Sequence, residues 1–83
     1  MYNISIKKTA SKELEKLPKK IIILITNSIY TLASEPRPNG CKKLKGVNSD
    51  LWRIRIGDYR IIYSIDEVIK IIDIKKVGHR KDI

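Results

Sequence analysis

Four arginines and one histidine carry most of the chemical potential of this 83-residue sequence. Arg53, Arg55 and Arg60 crowd into "LWRIRIGDYRIIYSI", and Arg80 follows His79 in the ending "KKVGHRKDI". Arginine forks match phosphate oxygens two at a time, so a cluster of them suits a phosphodiester. Histidine, whose ordinary pKa lies near neutrality, adds a group able to move protons. Such a set can cleave RNA without a metal. The substrate's own 2′-hydroxyl attacks, while the protein positions the phosphodiester, stabilises its extra charge and protonates the leaving 5′ oxygen. A plainer reading stands beside this one: a basic strand face is often only solvated, and a lone histidine near a chain end is often idle.

Other chemistries lack their parts. One His, one Cys and scattered carboxylates give no metal-ligand spacing, so neither a metal nor another cofactor is expected. Cys41 has no base nearby in sequence and reads as a bystander. Being alone, it makes no intrachain disulfide and fits a reducing cytoplasm. Asp58 and Asp66 are explained by turns. Eighteen Lys and Arg against nine Asp and Glu leave a net charge of +9. That excess points to a polyanionic partner, nucleic acid first and an acidic protein second. No basic-then-apolar signal pattern opens the chain, and "IIILI" is too short to span a bilayer, so no membrane partner is expected.

The elements that must position these side chains form one small domain over residues 1–83. "YNISIKK" alternates Tyr2, Ile4 and Ile6 with polar neighbours and predicts a half-buried strand. Thr9 is placed to cap a short helix carrying Ala10, Leu14 and Leu17, and Pro18 separates it from a second. In that second segment Ile21, Ile25, Ile29 and Leu32 make one stripe. The β-branched run "KIIILI" would also suit a strand, but the onward periodicity favours helix. "SEPRPNG" breaks the chain, and "CKKLKG" follows as a basic loop or short edge strand. Thereafter strands dominate. The expected class is α+β: an N-terminal strand, a two-helix hairpin, then a mainly antiparallel sheet of three to four strands.

Two turns set the faces of that sheet. Gly57-Asp58 reads as a two-residue type II′ loop, which pairs Ile56 with Tyr59, Arg55 with Arg60 and Arg53 with Ile62. Trp52, Ile54, Ile56, Tyr59, Ile61 and Tyr63 then share a face for the helices. Trp52 could stack on a base, yet its alternation with isoleucines assigns it to the core. Arg53, Arg55, Arg60, Ile62 and Ser64 share the other face. A second tight turn at Asp66-Glu67 would set Asp73 opposite Arg60 and bring Lys75, Val77 and His79 to the arginine side. Arg55 across from Arg60 disfavours pairing unless something compensates, and Asp73 could neutralise only one of them.

At "LKG…LWRIRIGDYRIIYSID…VGHRKDI" the sequence resembles the RelE/ParE superfamily of bacterial and archaeal toxin–antitoxin toxins, and the likeness spans essentially the whole chain. The wording is nearer the RelE side, whose members cut messenger RNA in the ribosomal A site. ParE-like members share the fold and poison DNA gyrase. The resemblance implies that Arg60 in "DYR" meets the scissile phosphate and that Arg80 in "GHR" is a second catalytic arginine. Arg53 and Arg55 match basic positions for RNA contact and proton transfer, and His79 matches a position that is frequently basic. Lys42, Lys43 and Lys45 resemble the basic loop that meets ribosomal RNA, with Lys75 and Lys81 as further expected contacts.

The function so implied is a cytoplasmic, metal-independent endoribonuclease toxin that acts on mRNA at the ribosome. It would be held in check by an acidic, partly disordered antitoxin that folds on binding. A gyrase inhibitor and an inactive antitoxin-binding relative are the alternatives. Relatives usually continue past this pattern with an aromatic, most often tyrosine. The sequence ends at Ile83, and weaker cleavage than theirs is expected from it.

Overall fold

A computed structural model of the chain describes residues 1–46 and 50–83. Its elements run β1 (Asn3–Ile6), α1 (Lys8–Glu15), α2 (Lys19–Leu32), β2 (Lys42–Lys43), β3 (Leu51–Ile56), β4 (Tyr59–Asp66) and β5 (Ile71–His79). The strands form one sheet in the order β1-β5-β4-β3-β2. β1 lies parallel to β5, and every other pairing is antiparallel. The expected α+β order holds. Five strands rather than three or four share the sheet, because the N-terminal strand joins it and "CKK" supplies a short edge.

Thr9 does not cap the first helix. Lys7 occupies the capping position without a side-chain bond, and Thr9 lies inside α1. Pro18 does separate the helices, standing just before the first residue of α2. Helix wins over strand for "KIIILI" because the stripe Ile25, Ile29 and Leu32 is wholly buried against the sheet. From the sheet come Ile54, Ile61, Tyr63, Ile72, Ile74 and Val77, which with Ala10 complete the core. Each such aliphatic side chain contributes roughly 1.5–3 kcal/mol by leaving water. Trp52 packs at the margin of this core, on the face its alternation assigned. No helix among the described residues is long and apolar enough to cross a membrane.

The first hairpin has the expected register: Ile56 opposite Tyr59, Arg55 opposite Arg60, Arg53 opposite Ile62. Gly57 adopts φ 58, and no positive φ occurs at Asp58. That fits the glycine-first turn.

The second hairpin differs. β4 runs on to Asp66, which pairs with Ile71, and four residues make the turn. Asp73 therefore faces Ser64, not Arg60. The register then slips: Tyr63 pairs with Ile74 but Ile62 with Lys76, leaving Lys75 as an extra residue on β5. This β-bulge reverses the parity of all that follows. Val77 pairs with Ile61 and His79 with Tyr59, on the helix-covered face, while Gly78 faces Arg60. The expectation that Val77 and His79 share the arginine face is thus overturned.

Candidate functional site

The face opposite the helices is built from three strands. Lys42 pairs with Arg53, Arg53 with Ile62, and Arg55 with Arg60. Gly78 completes the row beyond Arg60 and brings no side chain. Arg80 approaches from the end of β5. Its main-chain N–H donates to the Asp58 carbonyl at 2.8 Å, and its Nε lies 3.8 Å from Asp58 Oδ1. The ion pair is exposed and weak, so the main-chain bond to the hairpin turn does most of the anchoring.

Arg60 is the crowded member. Its Nη1 donates to the Ile83 main-chain oxygen at 2.8 Å, and the Ile83 side chain lies over Gly78. Partial burial first, then Arg55, Arg53 and Arg80, depress the Arg60 pKa below its ordinary value. An arginine remains charged even so; the part of the depression that comes from the neighbouring arginines is repulsion that an anion would relieve. The Nε atoms of Arg53 and Arg60 are both buried without a hydrogen-bond partner. Buried donors left unmatched are uncommon. Both belong to adjacent strands of the basic face, where their burial adds to the cost of crowding the guanidinium groups.

The other expected residues divide. Lys42 joins the arginine face through Arg53. Lys43 lies on the reverse side, 6.0 Å over the Trp52 ring, which Arg37 also covers at 5.0 Å. Lys45 is exposed beyond β2. Lys75 is engaged by Asp73 at 2.7 Å. Lys81 is exposed, with its main-chain N–H donating to His79 Nδ1 at 3.2 Å. His79 meets Tyr59 edge to face, their centroids 5.4 Å apart. The structure therefore brings Arg53, Arg55, Arg60, Arg80 and Lys42 together and leaves His79 behind the sheet. Among the described residues no group of three or more His, Cys, Asp or Glu could hold a metal.

Sequence reasoning missed Glu13, whose Oε1 accepts the Val77 N–H at 3.3 Å and ties α1 to the strand just after the bulge. The bulge itself left a trace. Ile72 and Ile74 alternate, then Lys75-Lys76 intervene and the apolar series resumes at Val77, one residue out of phase.

Comparison with known proteins finds similar chains. The family described as ParE toxin of type II toxin–antitoxin system, parDE, matches residues 4–83. Toxin RelE of Mycobacterium tuberculosis is 31% identical over 80 residues, spanning 95% of this chain and 81% of that protein. Toxin RelG of the same organism is 32% identical over 83 residues, spanning 99% and 94%. The crystal structure of an archaeal RelE–RelB complex from Pyrococcus horikoshii superposes with a TM-score of 0.84 at 36% identity, covering 99% of this chain and 98% of that one.

Proposed function

This chain belongs to the RelE/ParE toxin superfamily, as the toxin of a type II toxin–antitoxin system, and from that premise we propose that it is a ribosome-dependent endoribonuclease that cuts mRNA in the A site. The observation that carries the reading is the cluster of Arg53, Arg55 and Arg60 on one face of the β3–β4 hairpin, with Arg80 held beside it at the hairpin turn. Arg60 and Arg80 clamp the scissile phosphate, and Arg53 and Arg55 hold the flanking backbone. The 2′-hydroxyl gives up its proton to water and its oxygen attacks phosphorus as the bond to the 5′ oxygen breaks; the leaving oxygen takes a proton from water, giving a 2′,3′-cyclic phosphate and a 5′-hydroxyl. The charge that develops on phosphate is stabilised by fixed donors. His79, behind the sheet, is not assigned the proton.

Message geometry falls to the ribosome, while Arg55 lines a cleft of about 400 Å³ together with Ser28, Thr31 and Asn39. The partner in the resting state is a cognate antitoxin, by likeness to the RelE–RelB complex. A negatively charged segment laid across the arginines would match their charge.

Primer extension on a translation reaction tests the reading. Cuts that require ribosomes, end in cyclic phosphate and vanish when the scissile nucleotide is 2′-deoxy are expected. Ribosome-independent cuts, or cuts that survive 2′-deoxy substitution, overturn it. Arrest of gyrase on supercoiled plasmid with no RNA cut would instead establish the gyrase-directed alternative.

A further inference from the structure

A second basic surface lies on the other side of the sheet. Residues 7–20, "KKTASKELEKLPKK", hold six lysines and two glutamates. Lys8, Lys12 and Lys16 recur at four-residue steps, which stacks them along one side of α1 about 6 Å apart along its axis. All six lysines are exposed, and none makes an ion pair among the described residues.

Of these lysines, Lys8 and Lys19 stand at the start of a helix and work against the fold, while Lys12 and Lys16 sit at the C-terminal end of α1, where positive charge is favourable. α1 and α2 both begin with lysine, carry no acidic residue in the first turn and lack a side-chain cap. Positive charge at a helix N-terminus opposes the macrodipole and destabilises. Departures from local preference of this kind tend to mark function.

The track also leads somewhere. Lys16 lines a cleft of about 390 Å³ at the end of the sheet, together with Lys76, Tyr59 and His79. Ile83 lines the same cleft, and its main-chain oxygen is the one that Arg60 holds. The acids of the cleft are Glu13, engaged with Val77, and the exposed Asp82. Basic groups therefore run from the arginine face around the sheet edge and down α1.

We propose that Lys8, Lys12 and Lys16, entered through the His79 cleft, form a second track for an RNA sugar–phosphate backbone, continuous with the arginine face. This rests on the endoribonuclease reading and extends it. RNA is favoured over an acidic protein because no large exposed apolar residue falls between positions 7 and 20. A folding peptide would seek apolar anchors, and those lie on α2 at Ile23, Leu24 and Tyr30.

The test compares the full-length protein with a Lys8→Gln/Lys12→Gln/Lys16→Gln variant. Glutamine matches lysine in helix propensity, and the dipole gain at Lys8 is offset by the loss at Lys12 and Lys16, so Tm should stay close to that of the parent. Binding is followed against salt in two arms, a labelled single-stranded RNA and isolated ribosomes without message. Each phosphate of a single strand that a lysine ceases to neutralise lowers the log–log salt slope by about 0.7, so the variant should lose about two units of slope and roughly tenfold in affinity in at least one arm. Weaker binding of the oligonucleotide assigns the track to message, and weaker binding of empty ribosomes alone assigns it to ribosomal RNA.

Lys12→Gln should weaken binding more than Lys70→Gln, an equal charge change at the far end of the sheet. Equal effects from those two, an unchanged slope in both arms, or a wild-type protein that binds neither RNA overturns the track. So does a loss of antitoxin affinity with RNA affinity intact. Cleavage products from the wild type, mapped in parallel, report separately on the endoribonuclease reading.

Discussion

Arg55 and Arg60 face each other across β3 and β4, a like-charge pair that no fold would choose for stability. Their neighbours deepen the conflict, since Arg53 and Arg80 act on Arg60 in the same direction. The arrangement makes sense if an anion completes it. Arg60→Ala should therefore abolish most cleavage, by about 10²–10³ in rate as for loss of a transition-state donor, while Tm stays level or rises. Arg60→Lys should retain ribosome binding and lose most of the cutting, because lysine keeps the charge and not the fork. Parallel thermal melts and toe-printing check both. A variant that arrests translation as strongly as the parent would remove Arg60 from the mechanism.

Two turns and one bulge decide which side chains reach this face. The first turn is readable from sequence because Gly57 needs a positive φ and flanking alternation fixes the register. Gly57→Ala should cost about 1–2 kcal/mol, a fall of roughly 4–8 °C in Tm per kcal/mol for a domain of this size. The second turn misleads. Asp66-Glu67 looks like a tight pair, yet Asp66 Oδ1 accepts the Val68 and Ile69 N–H groups at 3.0 and 3.1 Å, and Lys70 takes φ 57 to close a longer loop.

The arginines of β3 and β4 are legible because one local hairpin sets them. The position of His79 is not, because it depends on a bulge that a contact from α1 supports. Glu13→Ala should leave the Val77 N–H without its acceptor, at about 1–3 kcal/mol, and speed hydrogen exchange at that amide. Glu13→Gln, which keeps an acceptor, should do so less. If exchange at Val77 is unchanged in both variants, Glu13 does not support the bulge.

At the scale of the molecule, the arginine cluster and the tethering contacts occupy opposite ends of the sheet. The Gly57 end carries the arginines, the cleft and the end of the α1 track. The other end is closed by Glu67, which joins three distant parts of the chain. Tyr2 donates its hydroxyl to Oε2 at 2.8 Å, Arg37 donates Nη2 to Oε1 at 3.0 Å, and Lys70 Nζ approaches Oε2 at 3.7 Å. The strand that opens the fold, the loop after α2 and the β4–β5 turn are thereby held together. Nearby, the buried Tyr63 hydroxyl donates to the Pro36 carbonyl at 2.7 Å and steadies the same loop.

In a chain of net charge +9, a carboxylate shared by two cations also offsets self-repulsion. The Tyr2 hydrogen bond, then the Arg37 one, hold the Glu67 pKa below the ordinary carboxylate value. A carboxyl depressed in the folded state stabilises above its unfolded pKa, about 4.3, and loses that contribution as pH falls through the folded value. Thermal stability should thus decline as the pH drops below about 4. Glu67→Gln should lower Tm at neutral pH and flatten the acid limb of the profile. The groups are half exposed, so salt should shrink the difference between parent and variant. A variant whose acid limb is as steep as the parent's would show that Glu67 does not couple the three segments to pH.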